Sequence, residues 1–445
     1  MGSGASGHRS AIAPAIRVPR VRFEPIDLGR WAIWSATALL FAVLPLVFHK
    51  GFAITLLSQM GVMIVFALAY NMIFGQGGML SFGHAVYSGL GAFFAIHALN
   101  WVGEGRLWLP VSLIPLVGGV FGAVFGVLFG YVTTKKAGTP FAMITLGIGE
   151  LVFAASLMFP GFFGGEGGVS TNRVVGEPFL GITFGPAIEV YYLIAIWCFA
   201  SMAAMYAFSH TPLGRISNAV RDNPERAEFI GYSAQHVRFL VIVASAFFCG
   251  IAGGLSAINF EIVSAENVST ARSGGVLVAA FIGGAGFFFG PILGAVIFIF
   301  FAVALSDYTS AWQFYLGAFF VLMVMYAPGG VASLIAMNLR VMRHGLLGRL
   351  AGPYGALALA TGVLLAGVIA LVEMSYQLTL NFASGSQLRL FGMDVDASSW
   401  QAWAIAAALV AAGGLAFEAA RRRFARTWDA VQALIEAKSH PGATT

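Results

Sequence analysis

Apolar runs of about 17–25 residues recur along this chain from end to end, and that recurrence restricts its fold more than any other feature. A segment in lipid must satisfy its own backbone polar groups, so each run reads as a membrane-crossing helix. The runs lie near 31–48, 52–74, 79–99, 111–132, 140–159, 190–208, 239–258, 274–289, 290–306, 312–327, 354–374 and 400–418. Only 10% of residues are charged, against about 25% in soluble domains, and mean hydropathy is +0.85. The expected fold is all-α, a polytopic membrane bundle of about 10–12 transmembrane helices with broken, glycine-rich segments. The pair 274–306 is interrupted by Gly283, Gly284, Gly286, Gly290 and Pro291, and reads equally as one bent hairpin or a re-entrant segment.

Charge orients the bundle. With the N-terminus inside, the inner segments hold Arg9, Arg17, Arg20, Arg22 and Arg30, then Lys135 and Lys136, then Arg215, Arg221, Arg226 and Arg238. Arg340, Arg343 and Arg349 follow, and then Arg421, Arg422, Arg423, Arg426 and Lys438. That is 19 of 24 Lys and Arg, a positive-inside bias that places both termini in the cytoplasm. The outer segments keep Lys50, Arg106, Arg173, Arg272 and Arg389, and most of the acids, Glu104, Glu166, Glu177, Glu189, Glu261, Glu266, Asp307, Asp394 and Asp396. Residues 1–30 are basic and rich in Gly, Ser and Pro, which predicts a disordered cytoplasmic arm. Met1-Gly2 with Ser6 meets the short myristoylation pattern, which nothing else supports, and no small-residue cleavage site marks a signal peptide.

The longest polar interval with apolar chain on both sides is 209–238. Asp222-Asn223-Pro224 reads as a helix start, a polar cap followed by proline where its missing N–H costs nothing. Gly231 reads as the stop, at the position that wants φ > 0. A short charged helix over Pro224–Ile230 then sits at the membrane surface, either as part of a solvated loop or as a docking element. Its length and punctuation favour docking.

Gly118, Gly122, Gly126 and Gly130 recur every four residues and predict a smooth face for close helix packing. Gly250/Gly254 and Gly286/Gly290/Gly294 repeat the spacing. In the stretch 71–84, Asn71, Gln76, Ser81 and His84 stand around four glycines between apolar runs. Polar irregular backbone at membrane depth must be buried in protein or line water. It reads either as a tight cytoplasmic turn with Ser81 capping the next helix or as part of a substrate path. Glu150, inside a predicted span, is either a path residue or a structural hydrogen-bond partner, or lies nearer the interface. His97 is expected near the outer interface. Cys198 and Cys249 fall in apolar runs and read as buried thiols.

Enzyme chemistry finds no support. The outer loop 160–173, with Glu166 and Arg173, is glycine-rich, but no Gly-Lys dipeptide exists in the chain, so a Walker A loop is excluded. There is no H-E-x-x-H, C-x-x-C or G-x-S-x-G pattern, and no metal is expected.

Five stretches resemble the branched-chain amino acid permeases of ATP-binding-cassette importers, on the LivM side of that family. They are NMIFGQGGMLSFGHAVYSGLGAF at 71–93, GTPFAMITLGIGELV at 138–152, TPLGRISNAVRDNPERAEFIGYSAQHVRFLVIVASAFFCGIAGGL at 211–255, GGAGFFFGPILGAV at 283–296 and YAPGGV at 326–331. They thread through 31–335. RDNPERAEFIGY is similar to the urea and short-amide branch as well. The resemblance implies a periplasmic binding protein that delivers substrate, a second permease subunit of the LivH kind, and two ATPase subunits that carry the ATP and Mg²⁺. No cofactor is expected on this chain, and no nucleic acid. Arg221, Pro224, Glu225, Glu228 and Gly231 would then couple to an ATPase, and Asn71, Gln76, Ser81, His84 and Glu150 would belong to the path. The membrane implied is the bacterial inner membrane.

Members of the family usually end soon after the Ala-Pro-x-Gly close. This chain continues over 336–445 with two more predicted spans and a basic amphipathic end from Arg421 to Lys438. That extension reads as a hairpin on the bundle edge or a surface for another protein. Two other classes compete with the importer. A self-sufficient secondary transporter or channel would need more intramembrane titratable groups than Glu150 and His84. A non-transporting scaffold would leave the polar breaks unexplained.

Overall fold

The structure is a computed structural model that describes residues 28–175, 183–379, 386–390 and 392–439. The arginines at 9, 17, 20 and 22, the myristoylation pattern and Glu177 lie outside the described residues. The chain divides into two units, one ending at Val47 and one running from Phe48. In the first, α1 spans Leu28–Val47.

The second unit is helical almost throughout. Its elements begin with α2 (Gly51–Asn71), α3 (Ala85–Gly103), α4 (Ile114–Thr133), α5 (Thr139–Met158) and the single turn α6 (Pro160–Phe163). Then come α7 (Ala187–His210), α8 (Pro212–Asp222), α9 (Pro224–Phe229) and α10 (Ala234–Phe260). Next are α11 (Thr270–Gly283), α12 (Gly290–Ile299), α13 (Trp312–Tyr326) and α14 (Gly330–Arg343). The last are α15 (Leu347–Thr379) and α16 (Trp400–Ser439). Two small antiparallel ladders join Val169–Ser170 (β1) to Ile262–Val263 (β2), and Gln387–Leu390 (β3) to Met393–Asp396 (β4).

Every expected apolar run contains a helix, but not all are full spans. Among the described residues eight helices are long and apolar enough to cross a membrane, or nine if α13 and α14, bent by 52° at their junction, count as one. The run expected at 79–99 becomes helical only at Ala85. The pair expected over 274–306 consists of α11, 14 residues long, and α12, which continues through a π-helical turn to Leu305. Fourteen residues rise about 21 Å, short of the ~30 Å hydrocarbon core. The two form a tight hairpin, since a Cβ on Gly283 would sit 2.6 Å from the Gly290 carbonyl carbon. A hairpin and a pair of spans alike return the chain to the side it came from.

Burial ranks the helices. In their apolar windows α3 is 78% buried, α10 72% and α2 61%, against 11% for α15 and for α16. The core is α2, α3 and α10, and α4 lies on it. A Cβ added at Gly122 would come 2.9 Å from the Cα of Gly250, and one at Gly126 would come 2.6 Å from the Ala246 methyl. Gly118 faces Gly250 and Gly254, and Gly130 faces Ile242. Backbones this close are what a small-residue stripe permits. Gly290 and Gly294 pack likewise inside the short hairpin, but Gly286 has nothing within 4 Å of a Cβ and takes no part.

The glycine-rich loop after α5 is ordered by the β1–β2 pairing and by Arg173. Its guanidinium donates to the carbonyls of Phe184 (2.8 Å) and Gly185 (3.0 Å) and pairs with Glu261 at 3.7 Å. His97 is half-buried, with Nε2 2.7 Å from the Phe162 carbonyl. Cys198 and Cys249 are free and buried. In the extension, Val431 and Ile435 of α16 pack on Val341, Leu346 and Leu350, outside the long apolar part of α15. The boundary drawn at 335/336 falls inside α14.

Candidate functional site: the helix break and the loop against it

Two polar features of the sequence meet here, the stretch after α2 and the loop before α10. α2 does not simply stop. It widens into a π-helical turn over Met72–Gln76, then runs irregularly to His84. This stretch is buried or half-buried except at Gly78, and neighbouring helices supply its partners. Tyr70 donates to the Ser81 carbonyl (3.2 Å), Thr145 of α5 accepts from Phe82 N–H (3.2 Å), and Ser273 of α11 accepts from Ala85 N–H (2.9 Å). Such partners are what polar backbone outside a regular helix needs where water is excluded. Glycine is needed because the backbone of other segments presses on the break. A Cβ on Gly75 would overlap the Ala285 carbonyl oxygen, and one on Gly83 would come 3.0 Å from the Thr145 carbonyl carbon.

Ser81 does not cap α3. The residue before the helix is His84, and neither side chain caps it. Ser81 ties to α2 through its backbone carbonyl, which accepts from Tyr70. His84 is buried at 1% exposure, with Nε2 3.0 Å from Ser245 Oγ and 2.9 Å from Cys249 Sγ on α10. Ser245 gives its one hydroxyl proton to the Ala69 carbonyl (2.6 Å), so toward His84 it can only accept. Nε2 therefore carries the ring proton. The ring stacks parallel to Phe66 and meets Tyr70 and Tyr87 edge-on. His84 pins the break to α10 and to the end of α2.

Asn71 and Ser81 are each 2% exposed, and Gln76 is half-buried. Asn71 Oδ1 and Gln76 Oε1 have no partner. Glu150 stands apart from these four. It lies on the exposed side of α5 with Met143, Gly147, Leu151 and Ala154, and accepts a hydrogen bond from Thr270 at the start of α11 (2.5 Å). Its neighbour Gly149 touches the break at Gly83, 3.4 Å from a Cβ position.

The loop folds as two helices, of which only the second was expected. In α8, Thr211 caps by accepting from Gly214 N–H (3.2 Å) and Pro212 takes the first turn. The signal was legible in Thr211-Pro212 and in the spacing of Leu213, Ile216 and Val220, which pack with Ala227, Ala234 and Val237. In α9, Asn223 accepts from Arg226 N–H (3.0 Å) ahead of Pro224. The C-terminal end is a Schellman motif, with Tyr232 N–H to the Ala227 carbonyl (3.1 Å) and Gly231 N–H to the Glu228 carbonyl (2.9 Å). Gly231 has φ +91°, as that motif requires. Glu225 and Glu228 are exposed, and so is an apolar tip that charge-based reasoning passed over: Phe229 is 88% exposed and Ile230 67%.

Break and loop are latched together. Arg221 Nη1 donates to the Gly75 carbonyl, its stem covers Gly78, and Ser217 Oγ reaches the Gln76 carbonyl at 3.5 Å. Arg221 Nε also bonds Asp222 at 2.9 Å. Of the residues expected to couple, Arg221 thus reaches the break, one position before Gln76 of the expected path. Pro224, Glu225, Glu228 and Gly231 do not touch the break themselves. Among the described residues no three His, Cys, Asp or Glu side chains converge as a metal site would require.

The region from α2 to the close after α13 is what comparison with known proteins detects. A family described as "Branched-chain amino acid transport system / permease component" matches residues 52–329. The chain belongs to that family. The permease protein LivM of the high-affinity branched-chain amino acid transport system of Escherichia coli (strain K12) is 25% identical over 356 residues, which cover 75% of this chain and 82% of that protein. The LivM protein of Salmonella typhimurium (strain LT2) is 25% identical over 318 residues, covering 67% and 73%. No solved structure matches. The chain is thus a multi-pass membrane permease, a transport subunit and not a catalyst. The break, the loop and the short hairpin all fall inside 52–329, while α14, α15 and α16 fall outside it.

Proposed function

We propose that this permease is one transmembrane subunit of an ATP-binding-cassette importer for branched-chain or related amino acids. A periplasmic binding protein delivers the cargo, and a second, LivH-like permease completes the path. Two ATPase subunits bind ATP and Mg²⁺ and meet this chain through α9. The protein resides in the bacterial inner membrane with the 209–238 loop and both termini in the cytoplasm.

The observation that carries this reading is the Arg221–Gly75 hydrogen bond. A docking helix can shift an inward–outward equilibrium only through contacts that differ between the two states. Here α8 is bonded directly to the π-helical turn that ends α2, so movement of α8–α9 reaches the break in one step. π-Turns of this kind are frequent at functional positions in helices. Asn71, Gln76, Ser81 and His84 would act on the path from behind, by holding the break. Glu150, on an exposed apolar helix face where a carboxylate is expensive to leave in lipid, would face the water between the two permeases.

ATP-dependent uptake of labelled leucine, and separately urea, into vesicles carrying all subunits tests the reading against Glu225→Ala/Glu228→Ala. Leucine uptake that requires ATP and collapses in the double variant is expected. Urea uptake instead would reassign the cargo and keep the mechanism. Uptake that ignores ATP and follows a proton gradient would overturn the importer reading.

A further inference from the structure

A cavity of about 260 Å³ opens between α2, α10, α11 and α12, at the end of the bundle away from the 209–238 loop. That placement follows from connectivity, because α10 starts at the loop and reaches the cavity only with its last turns, at Ser256 and Phe260. Its walls are mainly apolar, including Val62, Phe66 and Ile299. Into this surround α11 brings Arg272 in its first turn. The guanidinium has one polar contact, Nη2 to Ser256 Oγ at a long 3.5 Å, and its buried Nε has no partner. Among the described residues no carboxylate pairs with it. Gln59 of α2 also lines the cavity.

A guanidinium in a mainly apolar cavity is costly without a counter-charge. Its fork of donors fits a planar oxyanion, a carboxylate above all. The cavity is smaller than the ~300–1,000 Å³ typical of drug-sized ligands, which suits a small molecule. We infer that this cavity is a binding station for the cargo, in which Arg272 and Ser256 hold the carboxylate of an aliphatic amino acid. The side chain lies on Val62 and Ile299. The ammonium group meets the Gln59 amide oxygen and the face of Phe66, an acceptor and an aromatic ring that α2 brings to the cavity. The inference rests on the amino-acid reading above and adds where and by which atoms the cargo is held.

The test is direct binding of labelled leucine to the complex of this chain with its second permease and ATPases in lipid nanodiscs, without the binding protein. Isovalerate, which keeps the carboxylate, is expected to compete, and leucinamide, which lacks it, is expected not to. Arg272→Gln should weaken leucine binding by roughly tenfold or more, as loss of a charged hydrogen bond does, with Arg272→Lys intermediate. Should Arg272→Gln fail to assemble, Ser256→Ala and Gln59→Leu serve, each with a smaller loss expected. Competition by leucinamide equal to that of leucine, wild-type affinity in Arg272→Gln, or no saturable leucine binding to the wild type would each overturn the inference. So would an anionic phospholipid whose co-purification depends on Arg272 and that leucine does not displace. The importer reading fails by a different sign, the absence of ATP-dependent leucine uptake by wild-type vesicles with every subunit present.

Discussion

Arg221 and Gly75 stand 146 positions apart in the chain, yet the guanidinium of one donates to the carbonyl of the other. The arginine belongs to the last turn of α8 and the glycine to the π-helical turn after α2. Replacing Arg221 with Met keeps the stem over Gly78 and removes the donor. Hydrogen bonds to charged groups contribute about 1.5–3 kcal/mol, so the two elements should uncouple by roughly tenfold or more. The expected result is ATP hydrolysis near the wild-type rate with less leucine moved per ATP, read by measuring both in the same vesicles. Equal loss of both activities would mean that the residue serves assembly instead.

The α4–α10 seam predicts where a methyl group is tolerated. Gly122→Ala puts a Cβ 2.9 Å from the Gly250 Cα, where backbone must move. Overpacking of this kind costs about 1–3 kcal/mol. Gly286→Ala meets nothing within 4 Å and should be silent. Thermal melting of the two variants in detergent separates them, with a clear drop in Tm expected for Gly122→Ala alone.

These glycines show what kind of feature the sequence carries openly. Gly118, Gly122, Gly126 and Gly130 announce a packing face because helical periodicity is local. The Asn223 cap, Pro224 and the Gly231 stop are legible for the same reason, as each acts within one turn of its own helix. α8 was missed because its polar residues outweigh a short apolar face, although Thr211-Pro212 marks its start. The reach of Arg221 to Gly75, the pairing of Glu150 with Thr270 and the clasp of His84 by Ser245 and Cys249 join residues more than 100 positions apart. No local pattern encodes such pairings. The hairpin of α11 and α12 is one of the two forms that the glycines of 283–290 suggest, but α11 ends at Gly283, earlier than the apolar run, because apolar composition continues where the backbone turns.

The tip of α9 predicts its own hot spot. Phe229 and Ile230 are exposed beside Glu225 and Glu228, and exposed apolar anchors ringed by charge dominate many interfaces. Phe229→Ser/Ile230→Ser should abolish co-purification of an ATPase subunit and leave the permease monodisperse. Gly231→Val tests the helix end separately. Open space surrounds that position, so its cost is the left-handed backbone alone, about 1–3 kcal/mol, and partial retention of the ATPase is expected.

The extension bonds to the permease region through α15 and closes on itself at the end of α16. Glu373 of α15 accepts from Thr309 (2.6 Å) and Tyr315 (2.9 Å), and the far end of α16 lays Val431 and Ile435 on Val341 and Leu350. Val431→Asp would bury a charge in that small cluster, at a cost of several kcal/mol if the cluster stayed closed. The expected response is release of the end of α16, seen as faster tryptic cleavage at Arg421–Arg426. The 52–329 region should resist digestion as in the wild type.

Glu150 allows the most direct look at the path. The two native cysteines are both fully buried, so the wild type should take up little of a water-soluble maleimide. Glu150→Cys places a thiol on the exposed side of α5, in mid-helix, beside Thr270. Thiols react as thiolates, which form in water and not in lipid. If that side of α5 faces an aqueous path, the variant labels quickly, and the rate changes when ATP or a non-hydrolysable analogue shifts the conformational equilibrium. His84→Cys, placed inside the clasp of Ser245 and Cys249, should stay unlabelled in every state. Slow, nucleotide-independent labelling of Glu150→Cys would remove the carboxylate from the path and leave it as the partner of Thr270 alone.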